Sequence, residues 1–162
     1  METVVSGIRP TGNLHLGNYF GAVKSFLQMQ EEYNCFFFIA DWHSLTTHPH
    51  PDNIRNSAKT ILAEYLACGI DPEKATIYVQ SDVPEVVELY LYLNMNAGIG
   101  ELMRTASFKD KARQQLHISR EGEEGDVERE IFNEGNKHTV SAGLLTYPTL
   151  MAADIIIHKA LK

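Results

Sequence analysis

The apolar positions of the chain fall into short continuous runs and longer stretches with helical spacing. Thr3 to Ile8 is typical of a short buried strand, and Cys35 to Ala40 is an apolar run without any polar residue. A third segment, Thr76 to Gln80, alternates between apolar and polar residues. Uninterrupted apolar runs of this length are typical of strands covered on both faces, and alternation is typical of half-buried strands. The pattern therefore predicts three β-strands.

Each predicted strand is followed by a segment whose apolar residues lie three or four positions apart. The first begins at Leu16. The second ends before Gly69, and its apolar face consists of Ile54, Ala58, Ile61, Leu62, Tyr65 and Leu66. The third covers Glu85 to Asn96 after Pro84, and a further helix covers Leu150 to Leu161 after Pro148. Alternating strands and helices predict an α/β fold, a Rossmann-like parallel sheet with covering helices.

The stretch between the third and the last of these helices has a different character. Gly98 to Lys111 is predicted to form a short helix followed by a basic loop, whose cations are Arg104, Lys109, Lys111 and Arg113. Gln114 to Lys137 is polar, charged and poor in apolar residues. Such a composition predicts a mobile surface insertion at about 114–137.

The negative charge of the chain is concentrated in this insertion. The net charge is −7, and residues 121 to 134 contain seven acidic residues and one arginine, Arg129. The segment thus accounts for −6 of the total. A nucleic acid is therefore not expected to lie across it, while the rest of the chain is nearly neutral.

Composition narrows the class of protein further. There is no run of 18 apolar residues that could span a membrane, and Met1 to Gly7 does not have the character of a secretory signal. Cys35 and Cys68 lie in apolar surroundings without metal-ligand spacing. A cytoplasmic protein with free thiols, no membrane contact and no metal site is predicted.

The strongest chemical signal lies between the first strand and the first helix, in the stretch G-I-R-P-T-G-N-L-H-L-G-N from Gly7 to Asn18. An open parallel sheet binds its ligand at such a strand–helix junction, and the free N–H groups of a helix start suit phosphates. Gly17 lacks a β-carbon, so a nucleotide can approach the backbone closely. His15 and Asn18 can present polar atoms to the same ligand. The stretch predicts a nucleotide site.

This stretch resembles the HIGH signature of the class I aminoacyl-tRNA synthetases, here as His15-Leu16-Gly17-Asn18. The extension from Asn18 to Ala22 and a second block, Gly143 to Ile155, are similar to the tryptophan-specific branch of that family. Residues 62–82, 100–102 and 108–111 are similar as well. The resemblance covers nearly the whole chain apart from the acidic insertion.

The resemblance implies an enzyme that activates tryptophan with ATP, with Mg²⁺ accompanying the nucleotide, and transfers the tryptophanyl group to tRNA-Trp. It also implies a homodimer. By position, the residues that match the ATP contacts are Arg9, Pro10, Thr11, Gly17 and Asn18. Catalytic roles fall to His15, Asn18 and Lys111, the last as a movable cation near the phosphates.

For the amino acid, the resemblance assigns Asp154 as the carboxylate that accepts the indole N–H, with Tyr147, Met151 and His43 around the same pocket. The role of Asp154 is physically reasonable, because an acceptor-only side chain beside an apolar pocket favours an aromatic ring that carries an N–H donor. Phenylalanine would leave that acceptor without a partner.

The chain departs from the family pattern at one residue and in the segments that it lacks. Position 9 is Arg, where bacterial relatives often have Gln, and the KMSKS loop and the anticodon-binding helical domain have no counterpart in the chain. Residues 1–162 are therefore interpreted as the N-terminal portion of a truncated catalytic domain, inactive or nearly inactive in isolation. The alternatives are a tyrosine-specific synthetase, a nucleotidyltransferase with an HxGH-type loop, and a non-catalytic module that binds tryptophan or ATP.

Overall fold

A parallel sheet of three strands forms the centre of the molecule, as a computed structural model shows for residues 1–47, 51–118, 126–136 and 139–161. The strands are β1 (Thr3–Ile8), β2 (Asn34–Ile39) and β3 (Ala75–Val79), in the order β1-β2-β3. Ile8 pairs with Ile39, and Ile39 pairs with Val79. All three strands therefore end at one edge, and the residues that follow them are brought together there.

Helices connect and cover the strands. Their bounds are α1 (Leu16–Asn18), α2 (Lys24–Met29), α3 (Asp41–Leu45), α4 (Pro51–Cys68), α5 (Glu85–Asn96), α6 (Ile99–Arg104), α7 (Ala106–Leu116), α8 (Asp126–Ile131), α9 (Ala142–Leu145) and α10 (Tyr147–Ile157). A π-helical turn, Tyr19–Val23, joins α1 to α2, and a 3₁₀ turn, Gln80–Asp82, follows β3.

The main core lies between the sheet and helices α2 and α4. Phe26 of α2 stacks on Phe37 of β2, with ring centroids 4.3 Å apart, and the buried Tyr65 of α4 meets Phe26 edge-on. Such aromatic pairs contribute about 0.5–1.5 kcal/mol beyond the area they bury. Cys35 is a buried free thiol of this core, and burial raises its pKa; Cys68 is free and half-buried.

The predicted sheet and its first three helices are confirmed. The bounds of β1 and α5 agree with the sequence analysis, while β2 and β3 each begin and end one residue earlier than predicted. The helix α4 ends before Gly69, whose φ of 103° lies in the left-handed region that glycine adopts readily. Within the predicted apolar face of α4, Leu62 and Leu66 are exposed, and the others are buried.

The predicted basic loop is wrong, because residues 106–116 form a helix, α7. Phe108 and Ala112 lie one helical turn apart on α7 and are buried against Val127 of α8 and Leu144 of α9. These apolar contacts make a helix the stable form despite the basic residues around them.

The predicted insertion at about 114–137 also contains regular structure. Its first residues belong to α7, and Asp126–Ile131 forms α8. Residues 119–125 and 137–138 lie outside the described residues, and the mobility of the segment stays a prediction. Among the described residues, no helix is both long enough and apolar enough to cross a membrane.

Candidate active site

The loop after β1 is held in place by contacts from α4 and from the end of α3. Thr11 N–H donates to the carbonyl of Arg9 at 2.9 Å, and Gly12 has a φ of 128°, so the tight turn predicted here is present and requires glycine. The N–H of Leu14 donates to Glu64 Oε2 at 2.8 Å. Pro10 is buried, whereas Thr11 is exposed. These contacts fix the path of the chain into the first helix.

His15 and Asn18 cap the first helix together. The N–H of Asn18 donates to His15 Nδ1 at 3.3 Å, and the N–H of His15 donates to Asn18 Oδ1 at 3.1 Å. The imidazole also covers Gly17, because a β-carbon at that position would lie 2.9 Å from the ring. The exposed His15 ring thus lies over the backbone of Gly17, where the sequence analysis expects a nucleotide to approach.

Arg9 extends from the end of β1 towards the helices. Its Nη1 donates to Thr47 Oγ1 at 3.1 Å, a contact that the sequence analysis did not anticipate. Lys111 of α7 lies with its Nζ 4.6 Å from the ring centroid of Tyr147 on α10, at cation–π distance. Burial and then the nearby Arg9 guanidinium lower the pKa of Lys111. Two cations thus lie near each other at the carboxyl edge of the sheet.

Tyr147 connects these cations to a buried carboxylate. Its ring lies 4.4 Å from that of His43, centroid to centroid. Burial raises the pKa of its hydroxyl; the charge of Arg9 opposes this effect, and the charge of Asp154 adds to it. The charges of Arg9, in the predicted nucleotide loop, and Asp154, in the predicted tryptophan pocket, therefore both influence the pKa of the Tyr147 hydroxyl.

Asp154 is almost completely buried, with 1% of its surface exposed. Its Oδ2 lies 2.7 Å from His43 Nε2, and its two oxygens accept from Gln80 Nε2 at 2.9 and 3.0 Å. A buried carboxylate is tolerated when such donors surround it. Met151 lies on the same helix between Tyr147 and Asp154, and 41% of its surface is exposed.

Gln80 is the site residue that the sequence analysis missed. It follows β3 directly, is completely buried and reaches both His43 and Asp154. The available signal was its place at the carboxyl end of a predicted parallel strand, where such sheets collect functional side chains. Asp41, at the equivalent place after β2, is also used there, since its Oδ1 accepts from the N–H of Ser81 at 3.1 Å.

The contacts bring together Arg9, Lys111, Tyr147, His43 and Asp154. His15, Gly17 and Asn18 lie at the start of the first helix, in the connection that leaves the same edge of the sheet. A separate cavity of about 350 Å³ lies beside α3, because Asp41 and Trp42, which precede His43 in that helix, line it. Within the described ranges, no group of three or more His, Cys, Asp or Glu side chains is arranged to hold a metal ion.

Comparison with known proteins identifies relatives along the whole chain. A curated tryptophan–tRNA ligase of Porphyromonas gingivalis is 72% identical over 162 residues, which are 100% of this chain and 43% of that protein. The chain thus spans less than half the length of this relative. The ligase of Rickettsia conorii is 46% identical over 159 residues, 98% of this chain and 42% of its own length.

Solved structures agree with these relatives. The tryptophanyl-tRNA synthetase of Campylobacter jejuni complexed with ADP and tryptophan superposes with a TM-score of 0.74 at 37% identity, over 96% of this chain and 41% of that one. The similarity confirms the Rossmann-like α/β fold.

A family profile covers almost every residue. The profile of the tRNA synthetases class I (W and Y) matches residues 1–161. This match includes both motif blocks, the acidic segment between them and the Gln80 that joins His43 to Asp154. The chain therefore belongs to the class I tRNA synthetase family of the W and Y type.

Proposed function

We propose that this chain is the ATP- and tryptophan-binding portion of a tryptophan–tRNA ligase. The observation that carries the proposal is the buried Asp154, the residue assigned to the indole N–H, beside His43 and Tyr147. The 72% identity to a tryptophan–tRNA ligase supports it, as does a relative solved with ADP and tryptophan. The tyrosine-specific alternative has weaker support, since a tyrosyl-tRNA synthetase is 19% identical and shares the fold alone.

In the proposed reaction the carboxylate of tryptophan attacks the α-phosphate of ATP, giving tryptophanyl-adenylate and pyrophosphate, and the tryptophanyl group is then transferred to tRNA-Trp. The protein contributes by positioning the two substrates and by stabilising charge on the phosphates. Mg²⁺ enters with the nucleotide and neutralises phosphate charge.

Individual residues have separate tasks in this scheme. The start of the first helix, with Gly17 and the His15–Asn18 cap, receives the nucleotide. Lys111 and Arg9 offer positive charge beside Tyr147, where the amino acid and the phosphates meet. Asp154 accepts the indole N–H, and Met151 and Tyr147 border the ring.

The full-length protein that contains this chain provides the test. We expect tryptophan-dependent exchange of pyrophosphate into ATP, and we expect tyrosine not to compete with tryptophan. A full-length protein without such exchange would contradict the enzyme function. If thermal-shift assays of that protein nevertheless show stabilisation by tryptophan and ATP, the non-catalytic binding module is the correct alternative.

We also propose a cytoplasmic homodimer. The support for the dimer lies on α5, where Val87, Leu91 and Met95 follow one another at intervals of one helical turn. The exposed fractions of these side chains are 41%, 53% and 71%. A row of exposed apolar side chains is typical of an interface. Light scattering of the full-length protein tests this, and Leu91→Glu is expected to shift it towards the monomer.

A further inference from the structure

Gln80 uses both ends of its side chain in the buried part of the site. Its Oε1 accepts from the backbone N–H of His43 at 3.3 Å, and its Nε2 faces both oxygens of Asp154 at 2.9 and 3.0 Å. Because a backbone N–H can only donate, the amide oxygen of Gln80 must face His43 and the NH₂ group must face the carboxylate. The two contacts together fix the orientation of the amide.

The same contacts determine how many acceptor positions Asp154 retains. An ionised carboxylate offers about four lone-pair positions, two on each oxygen. Gln80 occupies one position on each oxygen, and the ring nitrogen of His43 occupies the second position on Oδ2. Among the described residues no other group donates to Asp154, so one position stays open, and it lies on Oδ1.

We propose that Gln80 is a positioning residue that sets amino-acid specificity by holding Asp154 with a single open acceptor position on Oδ1. The inference rests on the proposed function, in which Asp154 meets the tryptophan side chain. Such a site suits a ring that donates one hydrogen bond and accepts none, as an indole does. A phenol donates as well, but its own lone pairs would find the donors of Gln80 and His43 already occupied by Asp154.

Gln80 also accepts a hydrogen bond from a backbone N–H at the start of α3. A substitution of Gln80 therefore has two effects. The N–H of His43 belongs to the first turn of α3, where backbone donors have no partner within the helix. Removal of Gln80 therefore affects both the helix that carries His43 and the carboxylate. A readout of specificity is needed, because stability alone does not separate these roles.

Gln30 offers a matched control. It is a buried glutamine whose Nε2 donates to the carbonyl of Gly69 at 3.2 Å and whose Oε1 accepts from the N–H of Asp71 at 2.9 Å. It lies in the main core and does not contact Asp154. Gln30→Met and Gln80→Met thus remove similar side chains with similar bonding, and only the second change reaches the site.

The experiment measures binding by the full-length protein of tryptophan and of its isostere in which sulfur replaces the indole N–H. The wild-type protein is expected to prefer tryptophan by about tenfold or more, since a hydrogen bond to a charged group is lost with the isostere. In Gln80→Met this preference is expected to fall severalfold, because Asp154 is no longer held with its open position on Oδ1 in one orientation, whereas in Gln30→Met it stays at the wild-type value. A Gln80→Met protein that keeps the wild-type preference overturns the proposal.

Gln80→Glu provides a second measurement for the case in which Gln80→Met does not fold. It keeps an acceptor for the N–H of His43 but places a second carboxyl group opposite Asp154. Because two buried carboxyl groups so close together share one proton, the negative charge is divided between them and the preference for tryptophan is expected to fall. An unchanged preference in Gln80→Glu would also overturn the role of Gln80. Failure of the wild-type protein to bind tryptophan would instead contradict the proposed function.

Discussion

His43 and Asp154 are separated by 111 positions in the chain, and their side chains lie 2.7 Å apart in the interior. The contact joins the short helix after the second strand to the last helix, α10. It combines with the buried Gln80 to hold a carboxylate at the carboxyl edge of the sheet, next to the loop of Arg9. The site is thus built from residues that follow all three strands.

Replacement of Asp154 by Asn is expected to weaken tryptophan binding by about 10- to 100-fold. The amide NH₂ would oppose the donors of Gln80 and His43, and the acceptor for the indole would lose its charge. Titration calorimetry with the full-length protein measures the effect. Asp71→Asn, in the turn before β3, is the control and should bind like the wild type; equal affinity in both variants would contradict the role of Asp154.

Lys111→Met is expected to lower the rate of ATP–pyrophosphate exchange by about 100-fold, because it removes the cation beside Tyr147 to which the proposed function assigns the stabilisation of phosphate charge. The affinity for tryptophan alone should change much less. The control is Lys74→Met, which breaks an exposed ion pair with Glu31 at the opposite edge of the sheet. Similar exchange rates for the two variants would show that Lys111 does not act on the nucleotide.

Two glycines are expected to respond oppositely to alanine. A β-carbon on Gly7 would lie 2.5 Å from the carbonyl oxygen of Phe38 on the neighbouring strand, so Gly7→Ala should lower the free energy of unfolding by about 1–3 kcal/mol. A β-carbon on Gly21 would meet no atom within 4 Å apart from its neighbours along the helix backbone, so Gly21→Ala should raise the free energy of unfolding by about 0.5–1 kcal/mol. Denaturant unfolding of both variants tests the pair, and a stable Gly7→Ala protein would contradict the strand contact.

His158 should make the protein less stable in mild acid. Burial lowers its pKa below the ordinary value of 6.5, although the charge of Asp154 opposes this effect. The unfolded chain therefore binds a proton at a higher pH than the folded protein does, and stability is lost as the pH falls below 6.5.

The ring of His158 stacks on Phe36, and its Nε2 lies 2.8 Å from the Tyr78 hydroxyl. Proton NMR of the ring measures its pKa directly. His158→Phe keeps the stacking and is expected to reduce the acid dependence of unfolding; a ring that titrates at or above 6.5 would contradict the effect of burial.

The sheet could be predicted from the sequence because its signals are local. Continuous apolar residues mark β2, helical spacing marks α5, and Gly69 marks the end of α4. In α7 the local signal was misleading, since a few buried apolar residues such as Phe108 stabilise a helix among many charged ones. Tertiary contacts with α8 and α9 decide its structure, and they are not visible from within the segment.

The candidate site was predictable only in part for the same reason. The residues of the two motif blocks could be assigned by resemblance, whereas Gln80 and Thr47 lie outside those blocks and show no distinctive spacing. Gln80 becomes significant only when β3 is placed beside β2 and α10 covers both. The partners of a buried polar group depend on packing between distant segments, which composition and periodicity do not specify.

The π-helical turn Tyr19–Val23 sets the rotation of α1 about the helix axis relative to α2. Such a turn holds an extra residue compared with an α-helix, and each residue of an α-helix corresponds to about 100° around its axis. Loss of one residue here would rotate Leu16–Asn18 by about that angle relative to Phe26, which is anchored on Phe37. A one-residue deletion at this turn would therefore redirect Leu16–Asn18 while the other end of the helix keeps its packing on Phe37.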